Sequence, residues 1–210
     1  MVTVIPRLVL ASASPARRRL LASAGIPAEV IVSGVDESVV EDPDPAALAL
    51  TLARLKAEAV ADRGRPVPVD DPDTLVLGCD SVLEFGGEAL GKPADRAEAA
   101  RRWYAMRGRS GVLHTGHCLI RLAAPGTERA RAEAVASTRV QFAPVTDEEI
   151  EAYVSTGEPL HVAGAFTIAG RSAPFIDSIE GDHSNVVGLS LPLLRRLLND
   201  VGTELTALWR

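Results

Sequence analysis

The segment Arg7-Leu-Val-Leu-Ala-Ser12-Ala-Ser14-Pro15-Ala-Arg17-Arg18-Arg19 decides the fold. Its first five residues are an apolar run of strand length. Ser14 then suits a helix N-cap and Pro15 the first helical position, while Gly25-Ile26-Pro27 stops that helix. Residues 28–33 alternate toward a second strand and run into the acidic loop pair Asp36-Glu37. Strand, helix and strand in this order predict an α/β fold.

Working outward, Asp42-Pro43-Asp44-Pro45 caps a helix predicted over residues 46–62, with Gly64 as its stop and a Pro- and Asp-rich loop over 65–73. Residues 74–83 read as an apolar strand interrupted by Gly78-Cys79-Asp80-Ser81. Gly86-Gly87 suits a hairpin turn, and Gly91-Lys92-Pro93 leads into a helix over 96–106. Residues 112–122 and 129–142 flank Pro125-Gly126-Thr127 as a long antiparallel pair. Thr146-Asp-Glu-Glu149 is a capping box for a short helix ending near Gly157. Strands are expected near 162–169 and 174–179, and a final helix over 192–199. Because hairpins are mixed with strand–helix alternation, the expectation is a mixed sheet between helical layers. No internal repeat or linker divides the chain, so residues 1–210 are read as one domain.

Composition narrows the function. The chain has 210 residues, 47% hydrophobic and 24% charged, as in globular proteins. Its apolar runs are far shorter than the roughly 20 residues that cross a bilayer, so no membrane span is expected. Residues 1–12 lack a basic leader, so the expected location is cytoplasmic. A net charge of −6 disfavours a nucleic-acid binder, and no basic stripe with interleaved aromatics appears. Cys79 and Cys118 lack zinc or disulfide spacing and are expected to be reduced. His114 and His117 sit three apart on a predicted strand, pointing to opposite faces, so they do not share an ion. No P-loop, dinucleotide or zincin motif is present. Trp103, Tyr104 and Tyr153 are expected in the core.

Asp80 stands out, because a carboxylate inside an apolar strand costs several kcal/mol unless it is compensated. It either caps a neighbouring turn or serves as a base or metal ligand, with Glu37 as a second oxygen donor for Mg²⁺ or Mn²⁺. Residues 12–19 gather hydroxyls, helix N–H groups and guanidinium groups, which suits a phosphate or forms an ordinary capped helix. Only two of the 22 basic residues are lysines, Lys56 and Lys92. An ammonium at those two positions is therefore of interest, although helix and loop lysines are commonly just solvated.

Taken together, Leu8-Val-Leu-Ala-Ser-Ala-Ser-Pro15, Val35-Asp-Glu37, Leu52-Ala-Arg-Leu-Lys-Ala57, Gly78-Cys-Asp-Ser81, Gly91-Lys-Pro93, His114-Thr-Gly116 and Ser184-Asn-Val-Val-Gly-Leu189 resemble the Maf family of nucleotide pyrophosphatases. The resemblance implies a cytoplasmic α/β enzyme with an elongated mixed sheet flanked by helices, two lobes around a cleft, and a homodimer. It implies hydrolysis of a nucleoside triphosphate to the monophosphate and pyrophosphate, as clearance of non-standard nucleotides. In that reading Asp80 is the catalytic base or metal ligand and Glu37 its acidic partner on a divalent cation. Ser12, Ser14, Arg17, Lys56 and Lys92 bind phosphate. Base selection falls to Ala16, Ser81 and Ala169, where this chain lacks the long polar side chains of either well-known branch, so broad or altered base selection is expected. The competing reading implied by the same resemblance is a nucleotide-sensing regulator of septum formation that acts by binding a partner.

Overall fold

The computed structural model describes residues 6–63, 74–122 and 129–210. Seven strands form one sheet: β1 (Arg7–Leu10), β2 (Ala28–Val30), β3 (Thr74–Phe85), β4 (Glu88–Leu90), β5 (Ser110–Arg121), β6 (Ala130–Phe142) and β7 (Ile176–Glu180). The helices are α1 (Pro15–Ser23), α2 (Pro45–Ala61), α3 (Arg96–Met106), α4 (Asp147–Ser155), α5 (His183–Val187) and α6 (Leu191–Asp200). The strand order is β2-β1-β3-β5-β6-β7, with β4 paired to β3. β1 is parallel to β2 and β3, and the remaining pairs are antiparallel. The expected mixed α/β architecture is therefore present.

Three long strands make the sheet elongated and carry it through two lobes. At one end Leu8, Leu10, Leu75, Leu77 and Leu119 pack with Leu21 of α1 and with Leu194 and Leu198 of α6. The alternating residues Val9, Val76 and Cys118 face the other way and pack on Ala57 and Val60 of α2. At the far end Leu83, Leu113, Val140 and Phe142 join Trp103, Tyr153 and Phe166 in a second core. Its rings meet edge to face, Trp103 against Phe142 at 5.7 Å and against Tyr153 at 5.5 Å.

Helix α2 lies unusually close to the sheet. A Cβ on Gly78 would fall 2.1 Å from the Ala53 carbonyl oxygen, and one on Gly116 would fall 2.2 Å from that of Ala49. Glycines on β3 and β5, with alanines on α2, are what permit this approach. The sheet is also incomplete at one point. β1 pairs with β3 only as far as Leu77, and β4 joins β3 only from Leu83. Among the described residues no strand ladder covers residues 78–82 on that side, and the cleft opens there.

Several expectations need correction. Residues 162–169 form no strand: 3₁₀ turns occupy Glu158–His161 and Ala163–Ala165. Gly164 and Ala165 adopt φ of 66° and 62°, left-handed values incompatible with a strand. The turn is fixed by Gly164 N–H donating to the Gly91 carbonyl and by Trp103 Nε1 donating to the Ala165 carbonyl. The strand expected over 174–179 begins two residues later, after a 3₁₀ turn at Ala173–Phe175, and the second strand is only three residues long. Tyr104 is exposed rather than in the core. The expected Gly64 stop, the loop over 65–73 and the Pro125-Gly126-Thr127 turn lie outside the described residues. No described helix is long and apolar enough to cross a membrane.

Candidate active site

The capping of α1 sets one wall of the cleft. Ser14 accepts a hydrogen bond from the Arg17 backbone N–H, with Pro15 in the first turn, so residues 12–17 line a cavity of about 680 Å³ as the chain leaves β1. Glu37, Lys56, Asp80, Ser81 and Lys92 line the same cavity. Structure thus brings together the helix start, both lysines and both carboxylates.

At its centre, Lys56 of α2 lies between two carboxylates. Its Nζ is 2.5 Å from Asp80 Oδ1 and 2.6 Å from Glu37 Oε1. Lys56 and Asp80 are both buried, at 6% and 7% exposure, so the ammonium supplies the compensation that a carboxylate in an apolar strand requires. Asp80 is therefore not a turn cap. Burial raises the proton affinity of the Asp80 carboxyl above the ordinary range, against the lowering influence of Lys56 and Arg17. Burial also acts to raise the more open Glu37, but there the Lys56 hydrogen bond and charge, helped by Lys92 and Arg17, prevail and hold it low. The two carboxyls of the pair are pushed apart in acidity.

Arg17 is buried beside this pair. Its Nε donates to the Gly188 carbonyl at 2.6 Å, and its Nη1 donates to Ser12 Oγ at 3.0 Å and the Cys79 carbonyl at 2.9 Å. Its Nη2 donates to Ser81 Oγ at 3.0 Å. Lys92 is exposed at the cavity mouth, on the loop after β4. The far wall is formed by His161, Val162, Phe166 and Thr167 with Val82 and Leu113. Of the three residues expected to choose the base, Ala16 lines the cavity, Ser81 lines it with its hydroxyl held by Arg17, and Ala169 is exposed and not among the lining residues.

Both cysteines are free and buried, and burial pushes each thiol up to about 12, so neither is a nucleophile at neutral pH. The two histidines do face opposite ways. His114 bonds Ser137 and Glu84, whereas His117 accepts the Ser190 backbone N–H from the other side of the sheet. Burial holds His117 down to about 4, so it is a neutral acceptor. The sequence reading assigned no role to Thr115, Asn185 or Gly188. Two quoted motifs, residues 114–116 and 184–189, were the available signal, and the structure converts them into partners of Ser81 and Arg17.

Among the described residues no three His, Cys, Asp or Glu side chains converge on a point that would hold a metal ion. Glu37 and Asp80 do converge, on the Lys56 ammonium, and two hard carboxylate donors with the balance from phosphate and water is a usual way to hold Mg²⁺. The donor type suits such an ion, which would share the two carboxylates with Lys56.

A mixed sheet with a cleft at a broken strand edge, lined by carboxylates and cations, defines an α/β protein with a charged pocket. A sequence model for the Maf-like protein family matches residues 7–201, and the chain belongs to that family. It is 62% identical over 203 residues to a nucleoside triphosphate pyrophosphatase of Salinispora tropica, covering 97% of this chain and 87% of that one. Proteins of the same name from Streptomyces coelicolor and Synechococcus elongatus are 61% and 54% identical, covering 94% and 98% of their own lengths and 97% and 98% of this chain.

Proposed function

We propose that this protein is a hydrolase that cleaves nucleoside triphosphates to the monophosphate and pyrophosphate. The observation that carries the reading is the buried Lys56–Asp80 pair, joined by the more open Glu37, beside Arg17 in one cavity, in a chain whose relatives bear that name. The triphosphate lies along the α1 start, with Ser12, Ser14, Arg17, Lys56 and Lys92 offsetting its charge. Water attacks the α-phosphorus and the bond from that phosphorus to the bridging oxygen breaks. The proton released by the water passes to the Asp80 carboxylate, whose burial-raised affinity suits a base. The positive groups meet the charge that develops on departing pyrophosphate. A Mg²⁺ or Mn²⁺ on Glu37 and Asp80 would supply neutralisation of phosphate oxygens.

Base selection is broad in this reading, because Ala16 on the cavity wall offers no long polar side chain to a base edge, Ser81 has its hydroxyl held by Arg17, and Ala169 does not line the cavity. The cytoplasmic location and the homodimer belong to the same proposal. The test is pyrophosphate release from canonical and modified triphosphates, with and without Mg²⁺ or Mn²⁺. Release from several bases, dependent on the ion, is expected. Release of orthophosphate alone, or a strong preference for dTTP and UTP, would contradict it.

A further inference from the structure

Counting protons around Arg17 assigns direction to a chain of hydrogen bonds. A guanidinium has five N–H donors and accepts nothing. Four of the five are engaged within the protein, on the Gly188 carbonyl, Ser12, the Cys79 carbonyl and Ser81. Among the described residues the second Nη2 proton meets no acceptor, which leaves it for a ligand. Thr115 Oγ1 donates its one proton to the backbone carbonyl of Asn185 at 3.3 Å, a group that only accepts. In the 2.9 Å contact between the two hydroxyls the donor is then Ser81, whose oxygen accepts from Arg17. The order Arg17, Ser81, Thr115, Asn185 is thus fixed and crosses from α1 through β3 and β5 to α5.

Ser12 is set by the same hub. Its oxygen accepts from Arg17 Nη1 and, at 3.2 Å, from the Ser14 backbone N–H, which uses both lone pairs. The Ser12 hydroxyl in the cavity wall is therefore left with only its proton to offer, as a donor to an anionic oxygen.

We propose that Ser81 and Thr115 are positioning residues that hold Arg17 and, through it, the Ser12 donor, and that Ser81 does not read the base. This rests on the polyphosphate-cleaving reading above and deepens it. Thr115 is fully buried and is not among the residues lining the cavity, so its effect reaches the reaction through Ser81 and Arg17.

The experiment compares Thr115→Val, which keeps the shape and removes the hydroxyl, with Thr115→Ser, which keeps the hydroxyl. Removing the Thr115 hydroxyl loosens the Ser81–Arg17 bond, the one that involves a charged group, and should lower kcat/KM by about tenfold, mainly in kcat. The factor should be the same for every base in a triphosphate panel, with Thr115→Ser near wild type. Pyrophosphate affinity, measured by calorimetry, should fall in Thr115→Val as well. If Thr115→Val does not fold, Ser81→Ala carries the same expectation at a partly exposed position. A change in base preference, unaltered kinetics, or failure of Thr115→Ser to restore the rate would overturn the proposal. A wild type that binds pyrophosphate yet hydrolyses no triphosphate contradicts the reaction instead, and the pyrophosphate affinities of the variants then decide the positioning role.

Discussion

Burial acts on Asp80 and Glu37 in the same direction, yet the two carboxyls end on opposite sides of their ordinary range. Glu37 is half open and dominated by cations, so it stays ionised to lower pH. Asp80 is enclosed, so it takes up a proton first as pH falls. If the ionised Asp80 is the base, kcat/KM should fall with falling pH through a value above the ordinary aspartate range, before Glu37 titrates. Asp80→Asn should lose about 10²- to 10⁴-fold in kcat, and the residual rate should no longer follow that acid limb. Its fold should persist, because Asn still accepts from Lys56, which also keeps Glu37. A pH–rate profile of the purified variant checks this, and an unchanged rate would remove Asp80 from the chemistry. Asp80 was legible in the sequence because a charge in an apolar strand demands a partner, and Lys56 because lysine is so rare in this chain. Thr115 was not legible, since its partners come from positions 34 and 70 residues away.

Helix α2 connects packing to the site, for it carries Lys56 and is seated on glycines of β3 and β5. A Cβ on Gly116 would lie 2.2 Å from the Ala49 oxygen and 2.6 Å from the Leu50 Cα, so the obstacle is backbone and the helix itself must move. Gly116→Ala should cost about 2–3 kcal/mol, lowering the melting temperature by roughly 4–12 °C. It should also lower kcat, as Lys56 is carried away from Asp80. Calorimetric melting with parallel kinetics would show both, and an unchanged melting temperature would mean that α2 does not bear on the sheet as described. At this scale the sequence was readable where the signal is local: Asp44 and Ser14 cap their helices, and Thr146 and Glu149 form the capping box. Residues 162–169 depart from the strand expectation because a short, almost continuous apolar run resembles a buried strand. What shapes them is Gly91 and Trp103, which anchor a left-handed turn from outside the segment.

The whole molecule places a cation-lined cleft in a chain of net charge −6. In the proposed function, attraction for a triphosphate is therefore local, concentrated by Arg17 and Lys56 in a low-dielectric wall rather than by the surface at large. The elongated sheet makes this possible: β3, β5 and β6 run through both cores, and the gap between β1 and β4 along β3 leaves residues 78–82 without a partner strand on that side, between the two cores. The α/β class and most elements followed from the sequence, whereas the gap did not, since it depends on where two distant neighbours stop pairing. The most direct measurement of the central claim is hydrolysis of a nucleoside triphosphate in ¹⁸O-labelled water, followed by mass spectrometry of both products. The account predicts one ¹⁸O in the nucleoside monophosphate and none in pyrophosphate; label in the pyrophosphate would place the attack elsewhere and contradict it.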